Sequence, residues 1–322
     1  MKKSNNYVGI DISKLTFDVA VFCKEDSKYK HHKFSNNDEG FNLLLELLNT
    51  SEDICVMEAS GVYYLKLATF LSDRGIAVSV VNPLIIRRFS QMRMSRAKTD
   101  KKDAMLIAEY GKTQQPDLWQ GEAEYVLELK QMFAYLEQLN KNKSAFTVQK
   151  ETFNHNPVTS KLVGDSINFV VRTIEAEIKQ IEKAMELIIK THHKEMFDHL
   201  KSIPGLGTKT SLLLIVISGG FSKFENYKQL ASYVGISPRI FESGTSIKGR
   251  SKICKMGMSK MRAMLYVCAW SAKRCNKNCK ELYDRLVEKG KAKKLALIAV
   301  VNKLLKQAIA IATKKEYYSV NF

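Results

Sequence analysis

The first 112 residues carry the apolar patterns of strands that alternate with helices. Residues 7–12 and 17–22 predict two strands joined by a short polar turn, which is a hairpin. Residues 32–34 predict a third, short strand. The N-terminal region therefore begins with consecutive paired strands.

Apolar runs of helical and strand type then follow in turn. Helical spacing at residues 42–48 precedes a short buried strand at 54–58, and helical spacing returns at 63–71. The strand at 77–81 ends at Asn82-Pro83, a stop signal. With a helix after it, the order is β-β-β-α-β-α-β-α, which predicts a mixed sheet flanked by helices.

Strand patterns cease beyond Pro116, and apolar residues recur about every 3.6 positions, as in two long helices. Residues 154–157 separate them, and Ser160 is a predicted N-cap for the second. Such helices form an antiparallel hairpin. It either pairs with a second copy as a coiled coil or packs as a plain bundle within one monomer. The bundle stays open because the apolar residues do not follow a strict seven-residue repeat.

The last region begins with Pro204-Gly205-Leu206-Gly207 between two apolar stretches. This outline is that of a helix-hairpin-helix motif, which predicts that Gly205 and Gly207 help backbone N–H groups to meet a DNA phosphate. The alternative is a glycine-containing connection between core helices. A basic loop at 238–257 and helices near 260–273 and 295–312 follow, so the predicted fold class is α/β plus α.

Charge distinguishes three predicted domains, residues 1–115, 116–200 and 201–322, with net charges of +3, −3 and +18. Between Arg239 and Lys280, 11 basic residues accompany one acidic residue, Glu242. Such a concentration indicates a polyanionic partner, and nucleic acid is the usual one. A merely solubilising surface is the alternative.

No uninterrupted apolar run approaches the roughly 18 residues of a membrane span, and no apolar signal core follows the N-terminus. We therefore expect a cytoplasmic protein without a membrane partner. The six cysteines show no paired C-x-x-C spacing, which predicts reduced thiols rather than a zinc site.

Four carboxylates occupy positions that suit a shared site. Asp11 and Glu58 end apolar strands, where an acid is costly unless something binds it. Asp100 and Asp103 lie three apart, so a helix would place both on one face. Converging carboxylates select a hard divalent cation, Mg²⁺ or Mn²⁺, which can clamp the oxygens of phosphoryl transfer. Each acid taken alone has another explanation: Asp100 could be the N-terminal acid of a helix, and Glu58 could pair with an arginine.

On this order of elements, the four acids resemble the D-E-D-D active site of a ribonuclease-H-like, RuvC-type fold. The chain also resembles the insertion sequence 110 family of transposases over nearly its whole length. Five motifs in the same order carry this resemblance: Gly9-Ile10-Asp11-Ile12-Ser13-Lys14, Met57-Glu58-Ala59-Ser60-Gly61, Lys98-Thr99-Asp100-Lys101-Lys102-Asp103-Ala104, Ile203-Pro204-Gly205-Leu206-Gly207, and Ser237-Pro238-Arg239 through Ser243-Gly244.

The resemblance implies a RuvC-like domain joined to a C-terminal transposase domain with a catalytic serine. It makes Asp11, Glu58, Asp100 and Asp103 the metal ligands. The serine motif falls on Glu242-Ser243-Gly244, where Glu242 replaces the first serine of a common Ser-Ser-Gly form, so Ser243 is the expected nucleophile and Ser246 the alternative. Four cations of the same loop would hold the scissile phosphate: Arg239, Lys248, Arg250 and Lys252.

The leading hypothesis is an RNA-guided transposase or recombinase that acts as a homodimer or homotetramer on donor and target DNA. It would attack a phosphodiester with serine, hold the DNA covalently and rejoin it to a new partner. The guide would be a structured RNA from the same insertion element. Two alternatives remain open: a metal-dependent nuclease or junction resolvase in which Ser243 is incidental, and a basic scaffold that only binds nucleic acid.

Overall fold

The computed structural model describes residues 6–23, 27–94, 99–239 and 252–320, together with the backbone of residues 242–243 and 247–248. The chain forms two compact units, Met1–Glu122 and Ala123–Phe322. The three-domain division expected from the sequence stays a prediction.

The first unit is built on a five-stranded mixed sheet with the order β3-β2-β1-β4-β5. β1 pairs antiparallel with β2, and β2 pairs antiparallel with β3, whereas β1–β4 and β4–β5 are parallel pairs. The strands are β1 (Asn6–Ile12), β2 (Thr16–Cys23), β3 (Lys28–Ser35), β4 (Asp53–Glu58) and β5 (Ala77–Val81).

Four helices accompany this sheet: α1 (Asp38–Leu47), α2 (Leu65–Asp73), α3 (Pro83–Met92) and α4 (Asp100–Gln114). The predicted order of elements is confirmed, with two helices rather than one after β5. Asn82 caps α3 by accepting a hydrogen bond from the Leu84 N–H, and Pro83 occupies the first turn, where its missing N–H costs nothing.

The two faces of the sheet carry different cores. Phe17 of β2 packs with Phe41 of α1 and Leu67 of α2 on one face, in the larger cluster. Val56 of β4 packs with Ile86 of α3 and Ile107 of α4 on the other. Strand β4 therefore buries apolar side chains on both faces, as buried parallel strands require.

The second unit is mostly helical. Its helices are α5 (Glu124–Asn154), α6 (Lys161–Lys201), α7 (Thr208–Ser218), α8 (Tyr227–Val234), α9 (Ser259–Cys275), α10 (Lys277–Glu288) and α11 (Lys293–Lys314). Its short strands are β6 (Pro238–Arg239), β7 (Glu242–Ser243), β8 (Ile247–Lys248) and β9 (Lys252–Ile253).

The helical hairpin expected from the sequence is formed by α5 and α6. Ser160 is the N-cap of α6 as predicted, and its side chain accepts a hydrogen bond from the Val163 N–H. Within α6, His193 has non-helical backbone angles, and its Nε2 lies 2.8 Å from the Tyr125 hydroxyl. The long helix is therefore kinked where it turns into the core of this unit.

That core centres on α7, whose residues from Thr210 to Ser218 are all buried. A helix that is apolar all round must be surrounded by other helices. Within the described residues, α11 is the one helix long and apolar enough to cross a membrane, and 56% of its apolar window is buried inside this unit. Because its buried face packs in the same core cluster as α7 and α9, we interpret α11 as a core helix.

Candidate functional site

The register of β1 and β4 brings two of the predicted acids side by side. These parallel strands pair Gly9 with Val56 and Ile10 with Met57, so Asp11 and Glu58 are the next residues along. Side chains alternate between the faces of a sheet. Asp11 and Glu58 therefore share the face of Gly9 and Val56, at the carboxyl end of both strands.

Helix α4 covers this face because β1 carries a glycine there. A Cβ on Gly9 would lie 2.1 Å from the Ala104 carbonyl oxygen and 2.3 Å from the Ala108 nitrogen. The α4 backbone thus rests directly on β1, and its later residue Gly111 lies against Tyr7. Helix α4 runs antiparallel to β1, so its first turn projects toward Asp11.

That first turn holds the other two predicted acids. Thr99 is the N-cap of α4, and its hydroxyl accepts a hydrogen bond from the Lys102 N–H. Asp100 and Asp103 follow in the first turn, where a carboxylate interacts favourably with the helix dipole. The cap therefore fixes where the helix begins and which residues face the strand ends.

The other acids affect the ionisation of Asp11. Its pKa is raised from 3.8 to about 6, first by burial and then by the negative charges of Asp103, Glu58, Asp100 and Asp18. Burial and like charge both disfavour an ionised carboxylate. The four sequence-predicted acids, drawn from three elements, thus lie within electrostatic reach of one another.

A divalent cation fits this donor set chemically. Within the described parts of the chain, no three His, Cys, Asp or Glu side chains are already arranged to hold a metal ion. Yet the acids offer carboxylate oxygens, the ligands that Mg²⁺ and Mn²⁺ prefer. Their mutual repulsion is what a bound cation would relieve. The Ser60 hydroxyl also donates to Glu58 Oε1 at 2.9 Å, which orients that carboxylate.

The sequence reasoning missed a fifth carboxylate, Asp18 of β2. It is only 5% exposed and lies directly opposite Asp11 in the antiparallel β1–β2 pair. Its Oδ1 is 2.7 Å from His31 Nε2, and its Oδ2 is 3.4 Å from Lys33 Nζ. Asp18 could have been found from the sequence as an acid in the middle of an apolar strand, because a buried acid needs polar or charged partners.

The predicted serine loop is described only in part. The backbones of Ser243 and Ile247 pair across β7 and β8, but the side chains of Ser243 and Lys248 lie outside the described residues. Ser246 and Arg250 lie outside them altogether. The positions of these four side chains relative to the acids stay a prediction.

Two other predicted phosphate ligands are described. Arg239 and Lys252 are exposed and lie directly opposite each other in the β6–β9 pair. Like charges that face each other across two strands repel. A phosphate placed between them would convert this repulsion into attraction.

The two glycines of the predicted helix-hairpin-helix have different surroundings. A Cβ on Gly205 would lie 2.6 Å from Ala272 of α9, and the φ of Gly205 is +96°, so this glycine has a packing reason to be present. Gly207 is the N-cap of α7 and has open space around it. Only the latter leaves room for a ligand.

Comparisons with known proteins agree with these features. Residues 8–152 match the DEDD family of IS110 elements, described as Transposase, and residues 198–284 match a family described as Transposase IS116/IS110/IS902 family. The pilin gene-inverting protein of Moraxella bovis is 32% identical over 314 residues, which is 96% of each chain. The chain belongs to the IS110 family of transposases.

Other relatives extend the comparison. The pilin gene-inverting protein of Moraxella lacunata has the same identity and coverage, and the transposase for insertion sequence element IS1111A of Coxiella burnetii is 22% identical over 98% of this chain. As an IS110 family member, the protein is a DNA transposase or recombinase. The first family match spans all four predicted acids, and the second spans Ser243.

Proposed function

We propose that this IS110 family transposase is a site-specific DNA recombinase that combines a metal-binding carboxylate centre with a serine nucleophile. The observation that carries the proposal is the grouping of Glu58, Asp100 and Asp103 around Asp11, whose pKa is raised first by burial and then by their negative charges. Strand order and acid positions support the proposal of a RuvC-like, ribonuclease-H-like fold. A scaffold that only binds nucleic acid has no use for four mutually repelling carboxylates.

The residues that would hold Mg²⁺ or Mn²⁺ are Asp11, Glu58, Asp100 and Asp103. A bound divalent cation would supply charge neutralisation for the oxygens of the reacting phosphate. The protein's own part is to fix the ligands, since β1–β4 register places Asp11 beside Glu58 and the Thr99 cap places the α4 acids. Such pre-positioning spares reorganisation during the reaction.

Ser243 is the proposed nucleophile, with Ser246 as the alternative. Its Oγ would attack the phosphorus of a phosphodiester, forming an Oγ–P bond while one deoxyribose oxygen leaves. The serine proton passes to a base, and the leaving oxygen takes up a proton. Because the phosphoserine keeps the bond energy, reversing the attack with a new deoxyribose hydroxyl rejoins DNA without ATP.

The basic side chains of the second unit would hold the nucleic acids. Arg239 and Lys252 face each other across β6 and β9 and could share one phosphate, while Lys248 and Arg250 belong to the same loop. The net charge of +18 on residues 201–322 supports binding of a DNA backbone and of an element-encoded guide RNA. Gly207, at the open N-terminus of α7, is the better of the two glycines for a phosphate contact.

The helices α5 and α6 supply the proposed means of oligomerisation. They extend the hairpin well beyond the core, and large apolar side chains near its tip are exposed: Val158, Leu162 and Phe169. Packing against a second copy as a coiled coil would bury them. We propose a homodimer or homotetramer in the cytoplasm.

The relatives from Moraxella suggest a second candidate, DNA inversion. These proteins are named for inverting a pilin gene, and they are similar to this chain over 96% of its length. Inversion and transposition share strand cleavage and rejoining and differ in how the DNA sites are arranged. A plasmid with two sites in inverted orientation distinguishes inversion from joining to a separate target.

The proposal is tested with purified protein, its element's RNA and donor DNA. We expect strand exchange that requires both Mg²⁺ and the RNA and that is lost in Asp103→Asn. Full activity in EDTA would exclude the carboxylate centre. Sequence-specific exchange by RNA-free protein would exclude RNA guidance and leave the metal and serine steps standing. Free, unjoined ends would favour the metal-dependent nuclease.

A further inference from the structure

Three side chains of β2 and β3 flank the carboxylate cluster, and nothing in the proposed function uses them. Asp18 is buried and lies between His31 and Lys33, at 2.7 Å and 3.4 Å respectively. The β2–β3 register places Lys33 directly opposite Asp18. Side chains on one face therefore form a continuous row from Asp11 through Asp18 to Lys33.

This arrangement explains how Asp18 tolerates its neighbour. Carboxylates directly opposite each other on antiparallel strands repel, and Asp18 faces Asp11 in this way. A buried acid next to a second acid needs cationic or hydrogen-bonding partners. His31 and Lys33 provide such partners for Asp18.

Lys33 also reaches toward the proposed metal ligands. Its Nζ lies 3.9 Å from Asp100 Oδ2, in the first turn of α4. One ammonium group thus joins a buried acid of the sheet to an exposed acid of the helix. A cation in that position attracts Asp100 and repels any other cation that approaches it.

We propose that Lys33 is a resident counter-cation of the carboxylate cluster, with which a divalent cation must compete for Asp100. This inference rests on the proposed metal site. Lys33 is a positioning residue: it stabilises the cluster while metal is absent, and it weakens metal binding.

The test measures Mn²⁺ affinity directly, by the electron paramagnetic resonance signal of free Mn²⁺ titrated with the full-length chain at low ionic strength. We expect Lys33→Met to bind Mn²⁺ roughly several-fold more tightly, because the variant lacks a positive charge beside Asp100 that repels the incoming cation, an effect that solvent screens in part at this exposed pair. Lys33→Arg keeps the charge and should stay near wild type. Lys28→Met makes the same change at the far end of β3 and should leave affinity unchanged.

The direction of the change separates this role from a structural one. Loss of a purely structural lysine would loosen the cluster and weaken Mn²⁺ binding. Unchanged or weaker binding by folded Lys33→Met therefore overturns the inference. If that variant fails to fold, Lys33→Gln, which keeps a polar head, must show the same tightening. Wild type that binds no Mn²⁺ overturns the proposed metal site as well, whereas wild type that binds with no gain in Lys33→Met overturns only the role of Lys33.

Discussion

The two units arrange charge in opposite ways. In the sheet unit, five carboxylates approach one another because strand register and a helix cap place them there. In the helical unit, the excess of positive charge is spread over surface side chains such as Arg239 and Lys252. The chemistry of the carboxylates depends on the exact position of each side chain. The attraction of the helical unit for a polyanion depends on the total of its positive charges. Single changes should therefore have large effects in the sheet unit and small, salt-dependent effects in the helical unit.

The largest effect is expected at the carboxylate centre. Asp11→Asn should lower DNA strand exchange by about a thousandfold or more, because it removes one proposed metal ligand and leaves the strand intact. Strand exchange is measured on donor and target DNA with Mg²⁺. The control is Asp73→Asn, which changes an exposed acid at the end of α2 and should keep full activity. Equal activity of the two variants would contradict the assignment.

The next effect concerns the contact between β1 and α4. Gly9→Ala would place a Cβ against α4 backbone atoms, which cannot move aside as a flexible side chain could. We expect a loss of about 3 kcal/mol in the free energy of unfolding, measured by urea denaturation. Mn²⁺ binding should weaken as well, since the α4 acids shift with the helix.

A matched glycine in the helical unit sharpens that test. A Cβ on Gly164 of α6 meets no atom within 4 Å, so Gly164→Ala should be neutral or stabilising by up to about 1 kcal/mol. If Gly9→Ala were equally harmless, the close approach of α4 would not be what positions Asp100 and Asp103.

A smaller effect follows from the raised pKa of Asp11. The pKa of Asp11 is about 6 in the folded protein, against an ordinary value of 3.8 that applies to the unfolded chain. Between these two pH values the folded protein therefore holds a proton on Asp11 that the unfolded chain has released. The contribution of Asp11 to stability without metal is therefore most favourable below pH 3.8, is lost as the pH rises from 3.8 through 6, and stays lost above it. Asp11→Asn should stabilise the metal-free protein at pH 8 by on the order of 1 kcal/mol, after allowance for solvent screening.

Urea denaturation in EDTA at several pH values measures this difference. The gain from Asp11→Asn should shrink toward zero as the pH falls well below 3.8, where the wild-type carboxyl is protonated in both states. A gain that does not vary with pH would show that Asp11 is not crowded by its acidic neighbours. Asp73→Asn again serves as the control and should show no such trend.

The smallest single effects are expected in the helical unit. Arg239→Ala or Lys252→Ala should weaken nucleic-acid binding several-fold and lower the slope of log affinity against log salt by about 1. Lys66→Ala, which removes an exposed cation of α2, should change neither quantity. A loss at Arg239 that does not depend on salt would indicate base readout instead of phosphate contact.

In the sheet unit, residues that conflict with their local sequence pattern could be predicted, whereas contacts that depend on strand register could not. Asp11, Glu58, Asp100 and Asp103 could be proposed from sequence because an acid that ends an apolar strand, or two acids in one helical turn, conflicts with its local pattern. Asp18 and Lys33 were missed because their meeting depends on β1–β2–β3 register, which no local pattern encodes. For the same reason β3 was predicted only at residues 32–34, although pairing with β2 extends it over Lys28–Ser35.

In the helical unit, apolar spacing predicted the long helices and the Ser160 cap, but α8 and α10 were not predicted. Gly205 shows a second limit of local patterns. It was proposed as a phosphate contact, yet its close approach to Ala272 depends on where α9 packs. A glycine motif alone does not tell whether the missing side chain makes room for a ligand or for another helix.

The proposed mechanism uses the carboxylate centre and Ser243 in one reaction. Its most direct test is to incubate the protein with its guide RNA, donor DNA and Mg²⁺, denature the mixture, and look for protein covalently joined to DNA. We predict a shifted band in wild type, mapped by peptide analysis to Ser243 and absent from both Ser243→Ala and Asp11→Asn. An adduct that persists in Ser243→Ala and disappears in Ser246→Ala would move the nucleophile to Ser246. Cleavage by wild type without any adduct would contradict the account.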